Sequence, residues 1–150
     1  MGTFHSICLK ILRQEADKIG YNRHFVIYDE DDQSSLMKNV LQGLELNANR
    51  FNPQIMLEKI SKLKSDLIDF KEYARSARGY MEKTLSQVYA AYQAELKKNN
   101  ALDFDDLIML CVRLFREHPE ILKKYQNIFR YIHIDEYQDT NHAQYAWVNL

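Results

Sequence analysis

Residues 131–141 have the sequence YIHIDEYQDTN, in which a short apolar run leads directly into two adjacent carboxylates, Asp135 and Glu136. The apolar run predicts a buried strand over 131–134, with His133 packed in the core. In open α/β sheets, ligands bind beyond the carboxyl ends of the strands. There an aspartate can hold Mg²⁺ on nucleotide phosphates, and a glutamate can polarise an attacking water. The same pattern also fits an exposed acidic turn, so by itself it leaves both interpretations open.

The composition of the whole chain favours a mainly helical protein. Its 150 residues include only four glycines and two prolines, fewer turn residues than an all-β chain needs. Hydrophobic residues make up 46% of the chain, which is enough to bury a core. With 20 basic and 21 acidic residues, the net charge of -1 excludes a globally basic nucleic-acid binder but not a local basic stripe.

Several classes of protein and site are disfavoured by what the sequence lacks. Cys8 and Cys111 lie among apolar residues without a CxxC partner, which argues against a disulfide scaffold and a cysteine zinc site. No apolar run approaches the ~20 residues of a membrane span, and the first residues do not resemble a signal peptide. No glycine is followed by lysine, so the phosphate loop G-x-x-x-x-G-K-[ST] does not occur. We therefore expect a protein of the reducing cytoplasm.

Helical periodicity and turn residues divide the chain into short elements. Gly20, Asn52 with Pro53, and Pro119 mark helix ends or starts. The acidic runs at 29–32 and 103–106 stand where helices begin, and carboxylates favour helix N-termini. We prefer this capping interpretation to a metal site at 29–32. The predicted helices cover about residues 4–19, 33–42, 53–68, 80–99, 103–117, 119–125 and 141–150, with a break over 69–79 and strands at 25–28 and 131–134.

Three segments together resemble the UvrD/Rep/PcrA-type superfamily 1 DNA helicases. Residues 135–141, DEYQDTN, resemble that family's motif II at seven consecutive positions. Residues 2–13, GTFHSICLKILR, look like the segment entering its helical insert, and residues 102–108, LDFDDLI, are similar to the block upstream of motif II. The resemblance implies a mainly α fold: the helical insert (1B) subdomain of a P-loop, RecA-like motor domain, with one or two short strands.

The resemblance also implies an activity, ATP-driven 3′-to-5′ translocation on single-stranded DNA with unwinding of duplex DNA, and roles for the motif II residues. Asp135 would help to hold Mg²⁺ on ATP, Glu136 would be the general base for hydrolysis, and Gln138 would sit near the γ-phosphate. The remaining residues would shape the turn and couple it to neighbouring segments: Asp139, Thr140 and Asn141.

The implied DNA contacts lie elsewhere in the chain. The first group would line the single-strand channel: Thr3, Phe4, His5 and Ser6. In the insert, Lys71, Arg75 and Arg78 fall at i, i+4 and i+7, which predicts one helical face that could contact duplex phosphates. Lys59, Lys62 and Lys64 precede this stripe. An ordinary solvated face explains the same spacing equally well.

The family pattern further implies a division into a motor-domain start at 1–20, the helical insert at 21–100 and a return to the motor domain at 101–150. We expect the chain to be a fragment, inactive without the phosphate loop, whose partners are DNA and the rest of the helicase chain. Apolar residues near its ends could then drive self-association. Two alternatives stay open: a non-catalytic helical module that binds DNA or protein, and a small metal-dependent phosphohydrolase. The second would use Asp103, Asp105, Asp106, Asp135 and Glu136.

Overall fold

The computed structural model describes residues 2–150, which contain eight α-helices and a sheet of two short parallel strands. The predicted mainly α fold is confirmed. None of the helices in this described part is long and apolar enough to cross a membrane. The elements are α1 (Phe4–Gln14), β1 (Val26–Ile27), α2 (Glu30–Gly43), α3 (Pro53–Ser65), α4 (Phe70–Ser76), α5 (Tyr80–Lys98), β2 (Ala101–Leu102), α6 (Phe104–Glu117), α7 (Pro119–Ile128) and α8 (His142–Val148), with 3₁₀ turns at Ala16–Ile19 and Tyr137–Asp139.

Buried apolar side chains form two clusters, which α3 links by packing against both α5 and α6. The α6 core lies between α1, α6, α7 and α8, and the α5 core lies between α2, α3 and α5. The α6 core includes Cys8, Ile11, Leu12, Leu107, Cys111, Phe115, Tyr125 and Trp147. The α5 core includes Met37, Leu41, Met56, Ile60, Val88, Tyr89, Tyr92 and Leu96.

The two chain segments that pass between these cores run side by side. β1 and β2 pair in parallel, with Val26 opposite Ala101. Just before the strands, the Asn100 side chain accepts a hydrogen bond from the Asn22 amide at 3.0 Å. The Lys97 ammonium group lies 3.6 Å from the centroid of the Tyr21 ring. These contacts fasten the outgoing and the returning segment to each other.

Both acidic runs cap helices, as the sequence predicts. The Asp29 carboxylate accepts from the Asp32 amide at 2.8 Å, and the Asp32 carboxylate accepts in return from the Asp29 amide. Asp103 and Asp106 form the same reciprocal pair at the start of α6. This arrangement satisfies amides that a helix N-terminus leaves without a partner.

Several helices differ in their bounds from those predicted, and one was not predicted. The first helix ends at Gln14 and continues only as a 3₁₀ turn to Ile19. The predicted break over 69–79 contains α4, which Asp69 caps by accepting from the Glu72 amide at 2.8 Å. The helix α7 runs on to Ile128 instead of ending near Tyr125. Short helices of this kind depend on caps and tertiary packing more than on periodicity.

The predicted buried strand over 131–134 is wrong. These residues form no regular element, Tyr131 is 88% exposed, and Ile132 is 45% exposed. The expectation that His133 packs in the core is wrong as well, because its side chain is exposed. A strand needs a neighbour for its backbone hydrogen bonds, and the only strands in residues 2–150 pair with each other instead.

Candidate functional site

The motif II segment forms a tight, solvent-exposed turn. Glu136 has the left-handed conformation, with φ of 49°, and its amide donates to the Asp135 carboxylate at 3.1 Å. The 3₁₀ turn Tyr137–Asp139 follows, closed by the Thr140 hydroxyl, which donates to the Tyr137 carbonyl at 2.8 Å. A non-glycine residue in the left-handed region is uncommon and is often found at functional turns. The side chains of Asp135 and Glu136 are both exposed to solvent on this turn.

The helix α8 anchors the end of this turn. Asn141 caps the helix by accepting from the Gln144 amide at 2.9 Å, and Gln144 accepts in return from the Asn141 amide. Trp147 lies in the α6 core, where its indole N–H donates to the Cys111 sulfur at 3.2 Å. Gln138 and Asp139 remain exposed between the carboxylates and the cap. The structure thus brings the predicted motif II residues together on one short segment.

The donor chemistry of this turn fits Mg²⁺. In addition to the contact with the Glu136 amide, the Asp135 carboxylate keeps free lone pairs that face solvent. Mg²⁺ is usually held by one or two carboxylates together with substrate phosphates and waters. Within residues 2–150, no group of three or more His, Cys, Asp or Glu side chains forms a protein-only metal cage. A shared site, completed by the nucleotide, is the arrangement that these carboxylates allow.

The phosphohydrolase alternative is contradicted by the surroundings of the α6 aspartates. Asp103 and Asp106 are 3% and 1% exposed, and each contacts the ammonium group of Lys64. The carboxylates of Asp135 and Glu136 lie on the exposed turn and form no metal-binding group with them in the described residues. The first aspartates are therefore structural, and the five carboxylates do not form one site.

Lys64 is the main residue that sequence reasoning placed wrongly. It belongs to the lysines expected on a basic surface, yet it is 1% exposed. Its Nζ lies 2.7 Å from Asp103 Oδ2 and 2.9 Å from Asp106 Oδ1. The Tyr92 hydroxyl donates to Asp103 at 3.0 Å, and Gln93 Nε2 donates to Asp106 at 3.1 Å. We call these five residues the charge cluster.

The charge cluster shifts the pKa of each of its three ions. Burial raises the pKa of Asp106, the neighbouring Asp103 carboxylate raises it further, and it reaches about 6 despite Lys64. For Asp103, burial also acts upward, but the ion pair with Lys64 and several hydrogen bonds outweigh it and lower the pKa. Burial opposes the charged form of Lys64, but the two carboxylates outweigh burial and raise its pKa well above the ordinary value. Lys64 and Asp103 therefore form the ionised pair, and Asp106 is the group that titrates.

The expected DNA-contact segment lies at the start of α1. Thr3 caps the helix, with its hydroxyl accepting from the Ser6 amide at 3.2 Å, and the Ser6 hydroxyl donates to the Thr3 carbonyl. The Phe4 ring packs edge-on against Trp147 at 5.8 Å, which ties it to the α6 core. His5 is half-buried and presents its imidazole beside the first turn of α6. Of the four residues, His5 is the one whose side chain neither caps the helix nor packs against Trp147.

Phe104 is a candidate contact residue that sequence reasoning did not single out. It is the first residue of α6, its ring is 46% exposed, and it stands edge-on to the His5 ring at a centroid distance of 6.1 Å. The aromatic residue is visible in the run LDFDDLI, but its exposure and its proximity to His5 follow only from the fold.

The predicted basic stripe is only partly correct. Lys71 and Arg75 lie on α4 and are exposed, one helical turn apart. Arg78 lies after the helix, whose C-cap Ala77 has extended backbone, so Arg78 does not share their helical face. The spacing i, i+4, i+7 predicts a common face only when the helix is continuous, and α4 ends at Ser76.

Comparison with known proteins places the chain in a family. The model of the UvrD/REP helicase N-terminal domain matches residues 1–150. The chain is 45% identical over 150 residues to the ATP-dependent DNA helicase PcrA of Leuconostoc citreum and 47% identical over 150 residues to that of Staphylococcus aureus. It is 49% identical over 148 residues to the ATP-dependent DNA helicase PcrA of Bacillus subtilis. These matches cover 99–100% of this chain and 20% of each relative, so the chain spans about a fifth of the length of the curated relatives it matches. By this similarity, which extends over its whole length, the chain belongs to the UvrD/REP helicase family.

Proposed function

We propose that the chain is part of an ATP-dependent DNA helicase that translocates 3′ to 5′ on single-stranded DNA and unwinds duplex DNA. The observation that carries this proposal is the exposed Asp135–Glu136 pair at the turn of a DEYQDTN segment, in a chain whose relatives are named ATP-dependent DNA helicases. The two free, buried cysteines, Cys8 and Cys111, agree with a location in the reducing cytoplasm.

In this proposal the motif II turn supplies the carboxylates for ATP hydrolysis. When bound, ATP would supply the phosphoanhydride bond that is broken, and Mg²⁺ would neutralise the charge of the phosphates. Asp135 would hold the metal through its solvent-facing oxygens, and Glu136 would accept a proton from the attacking water. Gln138, exposed two residues later, would lie near the γ-phosphate, and Asp139 and Asn141 would couple the turn to α8.

The DNA-contact surface in this proposal begins at the paired starts of α1 and α6. His5 and Phe104 present two neighbouring rings, one half-buried and one 46% exposed. Aromatic side chains bind single strands by stacking on bases without reading their sequence. Thr3 stands beside them with a hydroxyl that accepts from the Ser6 amide and can still donate to a phosphate, whereas the Ser6 hydroxyl would first have to release the Thr3 carbonyl. Phe4 would support the segment through Trp147.

The helical insert adds a second DNA surface in this proposal. Lys71 and Arg75 project from α4, and Arg78 follows as a separate exposed cation. These cations would contact duplex phosphates without sequence preference. We also propose a division into a motor-domain start at 1–20, an insert at 21–100 and a return at 101–150. The presence of two cores supports it, although Phe25 packs in the α6 core and Ala101 in the α5 core. Exposed apolar residues at and just after the end of α7, Ile128 at 60% and Tyr131 at 88% exposure, support self-association of the isolated chain.

The experiment that tests this function is the substitution Glu136→Gln in the full-length helicase. Glutamine keeps the shape of the turn but cannot accept the proton, so ATP binding should persist while turnover falls by roughly 10²–10⁴-fold. ATP affinity and steady-state turnover are measured on the same preparation, with and without single-stranded DNA. Glu30→Gln, an exposed residue at the start of α2, is the matched control and should leave turnover unchanged. Near-normal turnover in Glu136→Gln would remove this residue from the mechanism.

A further inference from the structure

The charge cluster lies where helices of the two cores meet. Lys64 comes from α3 of the α5 core, whereas Asp103 and Asp106 belong to the start of α6. Tyr92 and Gln93, which complete the cluster, come from α5. The cluster therefore links α3 and α5, which belong to the proposed insert, to α6 of the proposed motor-domain part. The contacts that link them are made by buried charged and polar groups.

The contacts of Lys64 hold the chain on both sides of one residue. Phe104 stands between Asp103 and Asp106, and both of these carboxylates pair with the ammonium group of Lys64. Lys64 lies on α3. The backbone on both sides of Phe104 is thus fixed by α3, while the ring itself remains exposed and faces His5.

Buried ions suit a role in positioning better than a role in stability. Removing charges from water costs about as much free energy as their attraction returns, so a buried ion pair adds little net stability. It does demand one geometry, because a displaced helix would leave a charge buried without its partner. A shift of α3 against α6 would break the 2.7 Å and 2.9 Å contacts of Lys64 together.

We propose that Lys64 is a positioning residue, which through Asp103 and Asp106 holds Phe104 against His5 in the arrangement that binds single-stranded DNA. The proposal rests on the proposed function, since it assumes that this aromatic pair contacts DNA. It assigns to the insert a second task besides duplex contact. The orientation of α3 sets the geometry of a single-strand site that lies outside the insert core.

The test uses the full-length helicase carrying Lys64→Met, Asp103→Asn and Asp106→Asn together. Asparagine also caps helices, and the new amide at 106 can donate to Gln93 Oε1, which has no hydrogen-bond partner among residues 2–150. This neutral variant should keep a cooperative unfolding transition. The single-stranded DNA concentration that half-saturates ATPase stimulation should rise about fivefold or more. Turnover at saturating DNA should stay within about twofold of wild type, because the ATP site is not part of the cluster.

Two further variants keep the result interpretable. Tyr92→Phe, at a buried site, removes only the hydroxyl that donates to Asp103 and should raise half-saturation by about twofold with no loss of folding. It decides the question if the neutral variant does not fold. Glu58→Gln, at an exposed position of α3, removes a surface charge and should leave half-saturation unchanged.

The outcomes separate this proposal from the function on which it rests. Phe104→Ala in the otherwise wild-type helicase should raise half-saturation on its own. If Phe104→Ala has no effect, the aromatic pair does not contact DNA, and both proposals about this site are overturned. If Phe104→Ala weakens DNA binding but the neutral variant, or Tyr92→Phe in its place, behaves like wild type, the charge cluster only stabilises the fold and the positioning role is overturned.

Discussion

The ammonium group of Lys64 exchanges its hydration in the unfolded chain for two carboxylates, 2.7 Å and 2.9 Å away. The same two aspartates were predictable as caps, because their position before an apolar run is a local signal. Their partner was not predictable, since Lys64 lies 39 residues before Asp103 and its neighbours Lys59 and Lys62 are exposed. Charge spacing along a chain cannot tell which lysine the fold turns inward.

One consequence of this cluster is an inverted pH dependence. The pKa of Asp106 is raised to about 6 from an ordinary 3.8, so the folded chain binds this proton more tightly than the unfolded chain. Its contribution to the free energy of unfolding therefore grows as the pH falls from 7 towards 4. Between pH 7 and pH 5 the wild type should gain about 1 kcal/mol relative to Asp106→Asn, which has no proton to take up.

Chemical denaturation of both proteins at pH 7, 6 and 5 measures this difference. Other titrating groups are shared by the two proteins, so their effects cancel in the comparison. Asp31→Asn, at an exposed position of α2, is the control and should follow the wild type at every pH. Parallel curves for wild type and Asp106→Asn would show that Asp106 stays ionised throughout the range.

At the scale of elements, the helices with sequence-local signals were predictable and the others were not. Asn52 with Pro53 marks the start of α3, and Asp103 marks the start of α6, because caps and prolines act within a few residues. The short helix α4 was missed because seven residues give too little periodicity to detect. The strand at 131–134 was wrongly predicted because a strand depends on a neighbour that no local pattern reveals.

The end of α4 at Ser76 changes the prediction for the basic stripe. Lys71 and Arg75 share the helix, so Lys71→Ala with Arg75→Ala should remove up to two ion pairs with phosphates. The wild type should bind duplex DNA with a Kd near ~10⁻⁴ M at physiological salt. In the double variant, the slope of log K against log salt should flatten by about 0.9 for each phosphate that is no longer neutralised. Alanine preserves helicity, so folding should not change.

Fluorescence anisotropy over a range of salt concentrations, with circular dichroism on the same samples, measures this effect. Arg78→Ala is tested separately, since its side chain does not share the α4 face and its effect should add independently. Lys38→Ala, on an exposed part of α2, serves as the charge-matched control. Equal slopes for the wild type and the double variant would identify the α4 cations as a solvated face.

At the scale of the whole molecule, the sequence pointed to the candidate motif II residues but not to the contacts between distant segments. The run DEYQDTN pointed to Asp135 and Glu136 through its resemblance to motif II, and their roles stay a prediction. The meeting of His5 with Phe104 depends on how α1 packs against α6, about 100 residues apart in the chain. Contacts of that range come from the whole fold and leave no mark in a local pattern.

We expect these 150 residues by themselves not to hydrolyse ATP. In P-loop motors the backbone N–H groups and the lysine of the phosphate loop bind the phosphates, and no glycine-lysine pair occurs in this sequence. The exposed carboxylates of Asp135 and Glu136 repel a nucleotide when nothing else binds it. Steady-state phosphate release is measured with Mg²⁺, with and without single-stranded DNA, for the wild-type chain and for Glu136→Gln. Both should show only background release, and the two should be indistinguishable. Activity that survives purification and disappears in Glu136→Gln would mean that the turn can activate water without a phosphate loop.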